Sequence, residues 1–455
     1  MSASSEEYYI KMTQTPVQKL ILKYSVPTIL SMLVTNIYNL VDTAFVGKLG
    51  NSASGAVGVV FGFMAIIQAV GFLFGQGSGS IISRKLGHQD YEGASETAST
   101  GLFMSFLLGT IVCIICFIFL DPLVMALGST DTIAPYAKKY IFFILITAPF
   151  NVAGFTMNNI LRFEGKAVYG MIGLMTGEVL NICGDAVLML GFDMGISGAG
   201  LSTAISQFVS FCILLSAFLR GKSQCRLSIH KLKLEIGHLG DICATGFPSL
   251  LRQGLNSVTT IILNTEASVY GDQAVAAMSI VSRISFFIFA IALGVGQGFQ
   301  PVSGFNYGAG KYGRVRKAYG FTILIAEIFM VVLGTLAFFN APMLIYMFRE
   351  DMDVVEIGTR ALKLQSLAVM VMPFCMATEM LMQSTGKKLG AALVSALRSG
   401  ILFIPALLIL SYFRGLKGIQ EAQPAAYLLG VIPTAFFAWD YFRKLPAEDK
   451  GDVEQ

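Results

Sequence analysis

The chain has 455 residues, 55% hydrophobic and 13% charged, with a formal net charge of +4 and a mean hydropathy of +0.68. Soluble globular domains carry about 25% charged residues, so this composition excludes one, and the small positive charge calls for no nucleic-acid partner. At roughly 20 residues per membrane span, the length leaves room for about twelve helices and no separate soluble domain.

Residues 1–18 are polar and mixed in charge, with no basic stretch leading into a short apolar run and cleavage site. The first span is therefore expected to serve as its own insertion signal. Apolar runs set against polar punctuation predict spans near 20–46, 54–82, 95–120, 136–160, 168–191, 197–219, 240–268, 274–303, 315–340, 358–382, 389–412 and 424–442. The first opens around Pro27 and holds Asn36, Asn39 and Asp42. The second carries Gly75-Gln76-Gly77 towards its end. In the third, Cys113 and Cys116 have the spacing of a redox pair, but inside an apolar run a thiol reads as a small hydrophobe, and the seven cysteines suggest no disulfide framework. The fifth places Glu178, Asn181 and Asp185 at i, i+3 and i+7, on one helical face.

The polar stretch 220–238, with Arg220, Lys222, Arg226, Lys231 and Lys233, is expected to link an N-terminal lobe (1–219) to a C-terminal lobe (239–455). Beyond it the seventh span holds Pro248, Arg252 and Glu266, the eighth Arg283 and Gly296-Gln297-Gly298, the ninth Glu327, the tenth Glu379 and the eleventh Arg398. His88, His230 and His238 fall in separate polar connections, so no metal site is expected.

The halves are copies of one another at an offset of 221 residues. Pro27 pairs with Pro248, Gly50, Ala53 and Ala56 with Gly271, Ala274 and Ala277, Gly75 and Gly77 with Gly296 and Gly298, and Gly165-Lys166 with Gly386-Lys387. Six spans per repeat is an even number, so both repeats enter the membrane in the same sense and are related by an axis along its normal. The expected fold is thus all-α and integral to the membrane, with two pseudo-symmetric six-helix lobes around a central cavity that can open to either side. The paired prolines and glycines are expected at hinges or close helix contacts. With the N-terminus inside, cytoplasmic segments carry 21 of the 32 basic residues and external loops eight, which predicts both termini in the cytoplasm.

An ionisable group at a helix centre costs about 2.5–3.5 kcal/mol on insertion scales, so it needs a partner or a task. Asp42, Glu178, Asp185, Arg252, Glu266, Arg283, Glu327, Glu379 and Arg398 are such groups. Two carboxylates in one desolvated site call for a proton or a cation between them, and Asn and Thr oxygens could complete a sodium shell. Each acid could equally be a structural hydrogen-bonding group, and the arginines could neutralise acids or reach for the interface. No G-x-x-x-x-G-K-[ST] loop is present for ATP, and no H-E-x-x-H or G-x-S-x-G stretch for a hydrolase. No enzyme and no cofactor are expected, and any energy must come from an ion gradient.

Several stretches together resemble the multidrug and toxic compound extrusion (MATE) family, in its MepA-like bacterial branch. They are Pro27-Thr-Ile-Leu through Asn39-Leu-Val-Asp42-Thr-Ala-Phe-Val-Gly47, Gly75-Gln76-Gly77, Leu161-Arg-Phe-Glu-Gly-Lys166 and Gly296-Gln297-Gly298-Phe-Gln-Pro301, within a likeness running from Pro16 to about Arg443. The resemblance implies efflux of bulky, often cationic, organic compounds against inward sodium or proton flow, through a monomer in the cell inner membrane. It implies that Asp42, Asn181, Asp185 and Thr203 form the cation site and that Glu266 and Glu379 are acids of the C-terminal lobe; helical spacing adds Glu178 to the cation site, and Asn39 and, at the repeat offset from Glu379, Asn158 are expected with Glu266 and Glu379 along the substrate cavity. A flippase of lipid-linked precursors, from the same superfamily, is the alternative.

Overall fold

The computed structural model describes residues 3–47 and 49–449, and these contain helices and connections but no strand. A short helix α1 (Ala3–Gln14) precedes α2 (Val17–Gly47), α3 (Asn51–Gly87), α4 (Tyr91–Ile118), α5 (Leu120–Ala126), α6 (Ala134–Phe163), α7 (Ala167–Asp185) and α8 (Gly195–Leu219). After the connection come α9 (Ile236–Ser268), α10 (Asp272–Gly308), α11 (Tyr312–Phe339), α12 (Ala341–Phe348), α13 (Met352–Ala368), α14 (Met372–Ser384), α15 (Lys388–Ala396), α16 (Phe403–Arg414) and α17 (Leu416–Lys444). The pair α13 and α14 runs on through a 3-10 turn, and α15 and α16 through a π-helical turn, so each pair makes one span. Among the described residues eleven spans are long and apolar enough to cross a bilayer. The remaining long helix, α9, has the length at 33 residues, but His238, Asp241, Arg252 and Glu266 dilute its apolar character.

Packing divides the chain into two compact units. One takes Leu30–Leu250 with the described residues before Ile10, and the other takes Ile10–Ile29 with the described chain from Leu251 onward. Helix α2 therefore changes unit between Ile29 and Leu30, and α9 between Leu250 and Leu251, again 221 residues apart. Pro27 and Pro248 lie two residues before each crossing, where each removes a backbone donor from the helical ladder.

The duplication also governs what is buried. In the first unit α6 packs against α3, α4 and α8, and 67% of its most apolar stretch is buried. Its repeat mate, Met352–Ser384, has 72% buried, whereas every other apolar span has 44% or less. Lipid-facing spans stay apolar because they meet hydrocarbon on one side. The glycines pack by the same rule. A side chain at Gly77 would strike the Ile242 carbonyl and the Gly246 amide, and one at Gly298 would strike Ser25; Gly246 and Ser25 are themselves a repeat pair. Asn159 closes on Gly75 as Met380 closes on Gly296, at the same offset.

The connection before α9 is a docked strap. Ser95, Ser99 and Thr100 of α4 accept the backbone N–H groups of Arg226 (3.1 Å), Ser228 (3.1 Å) and Lys233 (2.9 Å). Two extended residues advance about 6.6 Å and four helical ones about 6 Å, so residues 226 and 228 keep step with 95 and 99. Glu164, beyond the end of α6, ties down the first part: its Oε2 accepts from Ser223 Oγ at 2.6 Å and from the Gln224 N–H at 2.7 Å. Burial pushes the Glu164 carboxyl above its usual range, and these bonds partly offset that. Burial and the nearby Glu164 carboxyl hold the Cys225 thiol well above its usual range as well, which keeps it unreactive.

Glu164→Ala should release this strap. Losing two hydrogen bonds to one carboxyl favours local opening by about tenfold or more. Tryptic cleavage at Arg226 and Lys231 and maleimide labelling of Cys225 are expected to accelerate by that factor; rates equal to wild type would show that Glu164 does not hold the strap.

Candidate cation-binding site

The polar residues of the first unit converge where α2 and α7 run side by side. On α2, Thr35, Tyr38 and Asp42 are spaced i, i+3 and i+7; on α7, Glu178, Asn181 and Asp185 have the same spacing. Equal spacing on two neighbouring helices lets the rows meet rung by rung. At one end Thr35 Oγ1 donates to Glu178 Oε1. Two turns along, the carboxyls of Asp42 and Asp185 lie within hydrogen-bonding reach of each other. Asp42 is 7% exposed and Asp185 fully buried.

Between them Asn181 sets the geometry. With its amide oriented by the surrounding network, Nδ2 donates to Asp185 Oδ2 at 3.0 Å and Oδ1 accepts from the Thr203 N–H at 3.0 Å. Ser202 Oγ donates to the Asn181 carbonyl at 2.9 Å, which ties α8 to α7, and Thr203 Oγ1 donates to the Ala199 carbonyl of its own helix at 3.0 Å. A π-helical turn, Ala186–Gly191, follows Asp185 directly, a widened turn of the kind that often marks a functional site.

The hydrogen-bond inventory leaves a deficit. One oxygen each of Asp42, Asp185 and Glu178 is buried without a partner. Ionised carboxylates only accept, so two of them facing each other require something positive between them, a proton or a metal cation. The other contributors are neutral oxygens, which suits a proton or a monovalent hard cation. Among the described residues no group of three or more His, Cys, Asp or Glu side chains converges on a metal-ligand geometry.

Residues 42, 178, 181, 185 and 203 thus come together as one cluster. Two tyrosines join it that sequence reasoning missed. Tyr38 precedes Asp42 by one helical turn and lies near Asp42, Asp185 and Glu178. Tyr140, on α6 and 1% exposed, reaches Thr203. The spacing of Tyr38 from Asp42 was a usable signal, whereas nothing in sequence ties Tyr140 to α2. Asn36 gives its amide to the Met32 carbonyl of its own helix at 3.0 Å and adds nothing to the cluster.

The residues expected to face the substrate divide between the two units. Asn39 and Asn158 are half-buried on α2 and α6. Glu266, half-buried on α9, accepts from Ser411 Oγ at 2.6 Å. Glu379 is fully buried between Arg252 (2.7 Å) and Arg398 (3.0 Å). Arg252 and Glu266 are fourteen residues apart on one helix, about 21 Å along its axis, so Glu266 and Glu379 belong to different places. Glu327 and Arg283 enter neither cluster.

Residues 27–187 and 248–409 each match the MatE family, a double match at the internal offset. The chain is 29% identical over 413 residues to the multidrug export protein MepA of Staphylococcus saprophyticus subsp. saprophyticus, covering 90% of this chain and 91% of that protein. Among solved structures it is similar, at 25% identity, to a MATE protein in a straight conformation (TM-score 0.90; 95% of this chain and 97% of that one) and in a bent conformation (TM-score 0.89; 96% and 97%).

Proposed function

The chain belongs to the MatE family of multidrug efflux transporters, and from that premise we propose that it is a cation-coupled antiporter that exports bulky, often cationic, organic compounds by alternating access. The observation that carries the reading is the facing pair Asp42 and Asp185, buried, held by Asn181 and short of positive charge. The coupling ion is sodium or a proton, with no further cofactor. The chain works as a monomer in the cell inner membrane, with both termini and the strap at 220–238 on the cytoplasmic side, the lobes dividing there into 1–219 and 239–455.

A cation entering from outside fills the Asp42 and Asp185 site and satisfies the orphaned oxygens. Asp42 sits on α2, which also contains Pro27 and passes from one packing unit to the other. Filling or emptying the site therefore bears on the helix best placed to switch, with the packed glycines at 75, 77, 296 and 298 as pivots. That a similar protein is described in straight and bent conformations supports two stable states for this architecture. Cation and cationic substrate compete for the same carboxyls, so loading one releases the other. One charge moving through about 150 mV supplies roughly 3.5 kcal/mol, enough for a substrate gradient of a few hundredfold.

The test is ethidium efflux from proteoliposomes under an imposed sodium gradient and, separately, under a proton gradient. Transport driven by one of them supports the antiporter and names its ion. The second reading, a flippase of lipid-linked precursors, draws on the two buried arginines of the second unit; absence of gradient-driven transport under both conditions would favour it.

A further inference from the structure

The second unit holds a buried group with the opposite polarity. Arg252 of α9, Glu379 of α14 and Arg398 in the π-helical turn Leu397–Ile401 form one ion cluster, and the three are 5%, 0% and 7% exposed. Guanidinium stays protonated in proteins, so even a fully ionised Glu379 leaves one excess positive charge inside spanning segments. Such an excess is costly at membrane depth and calls for a counter-charge. Among the described residues both arginines form their ion pairs with the same Glu379. The Nε–H of Arg398 is buried without a partner, and its guanidinium lies over the Phe289 ring at 5.3 Å.

A cavity of about 40 Å³ adjoins this cluster. Arg398, Ser399, Asn256, Thr259, Gln423 and Tyr427 supply its polar wall, and none of the residues lining it is acidic. Gln423 Nε2 donates to the Tyr427 hydroxyl at 2.8 Å, which stiffens one side. The volume is room for a few waters or one small ion. A single excess positive charge, carried in part by the Arg398 guanidinium, and a wall of amides and hydroxyls form the chemistry of an anion receptor, with a charge that matches a monoanion better than a phosphate dianion.

We propose that this cavity beside Arg398 binds a small monovalent anion, either a halide or the carboxylate of a larger solute. The site is separate from the Asp42 and Asp185 cluster and goes beyond the antiport reading: it can hold or fail independently of which cation drives transport.

The test is calorimetric titration of the intact chain in lipid nanodiscs with sodium chloride, sodium acetate and sodium gluconate, at constant sodium. Saturable binding of chloride or acetate is expected, weakened about tenfold or more in Arg398→Gln, because a charge-assisted bond is lost. Chloride binding that acetate does not displace assigns a free halide; displacement by acetate assigns a carboxylate. Should Arg398→Gln fail to fold, the double variant Asn256→Ala, Tyr427→Phe keeps both arginines and is expected to weaken binding severalfold. Absence of saturation by either anion up to about 100 mM, or affinity unchanged in these variants, overturns the assignment.

Discussion

Asp185→Asn should lower gradient-driven efflux by about two orders of magnitude and leave the protein folded. The magnitude follows from losing the roughly 3.5 kcal/mol that one coupled charge supplies. Folding survives because Asn is nearly isosteric and its side-chain oxygen can still accept from Asn181 Nδ2, the 3.0 Å bond that orients the cluster. Removing one of two facing carboxyls also relieves like-charge repulsion, so the thermal midpoint should stay level or rise. Asp42→Asn should behave the same way, and the double variant should be no worse than either single one, since the two carboxyls act as a unit. Efflux at the wild-type level in either variant would remove the cluster from the mechanism.

Glu379→Ala is expected to produce the largest loss of stability in the chain. It leaves Arg252 and Arg398 buried with no carboxylate between them, and breaking a buried ion cluster from one side costs about 3–5 kcal/mol. Most of a typical folding free energy would be gone, so little folded protein should reach the membrane. The triple change Arg252→Met, Glu379→Leu, Arg398→Met removes all three charges at similar volume and should restore expression, because a well-packed apolar group often matches a buried ion cluster. Yield and melting temperature in detergent measure both. Normal stability of Glu379→Ala would mean that water or another group already compensates the arginines.

The legibility of the molecule follows the physics of each signal. Hydrocarbon solvation imposes long apolar runs, and eleven of the twelve spans expected from them are long and apolar enough among the described residues, the one expected at 240–268 falling on α9, whose charges dilute it. The duplication was legible because close helix contacts admit only glycine: Gly77 against Gly246 and Gly298 against Ser25 preserve the pattern. The row Glu178, Asn181, Asp185 was legible through helical spacing. Tyr140 was not, since its approach to Thr203 depends on how α6 packs between distant helices. The pairing of Glu379 with Arg252 and Arg398 was hidden for the same reason: 127 and 19 residues separate the partners, and no local pattern records which acid a buried arginine will meet. Nor did the strap's docking appear in advance, although Ser95, Ser99 and Thr100 on one helix are the hydroxyls such docking needs.

The most direct test of the central claim is to add ethidium to the purified chain in weakly buffered detergent solution and to count the protons, or the sodium ions, released. Release of about one cation per ethidium bound, absent in Asp42→Asn, is the expected result. Ethidium binding with no release of either cation, or release unchanged in Asp42→Asn, would contradict competition at the Asp42 and Asp185 pair.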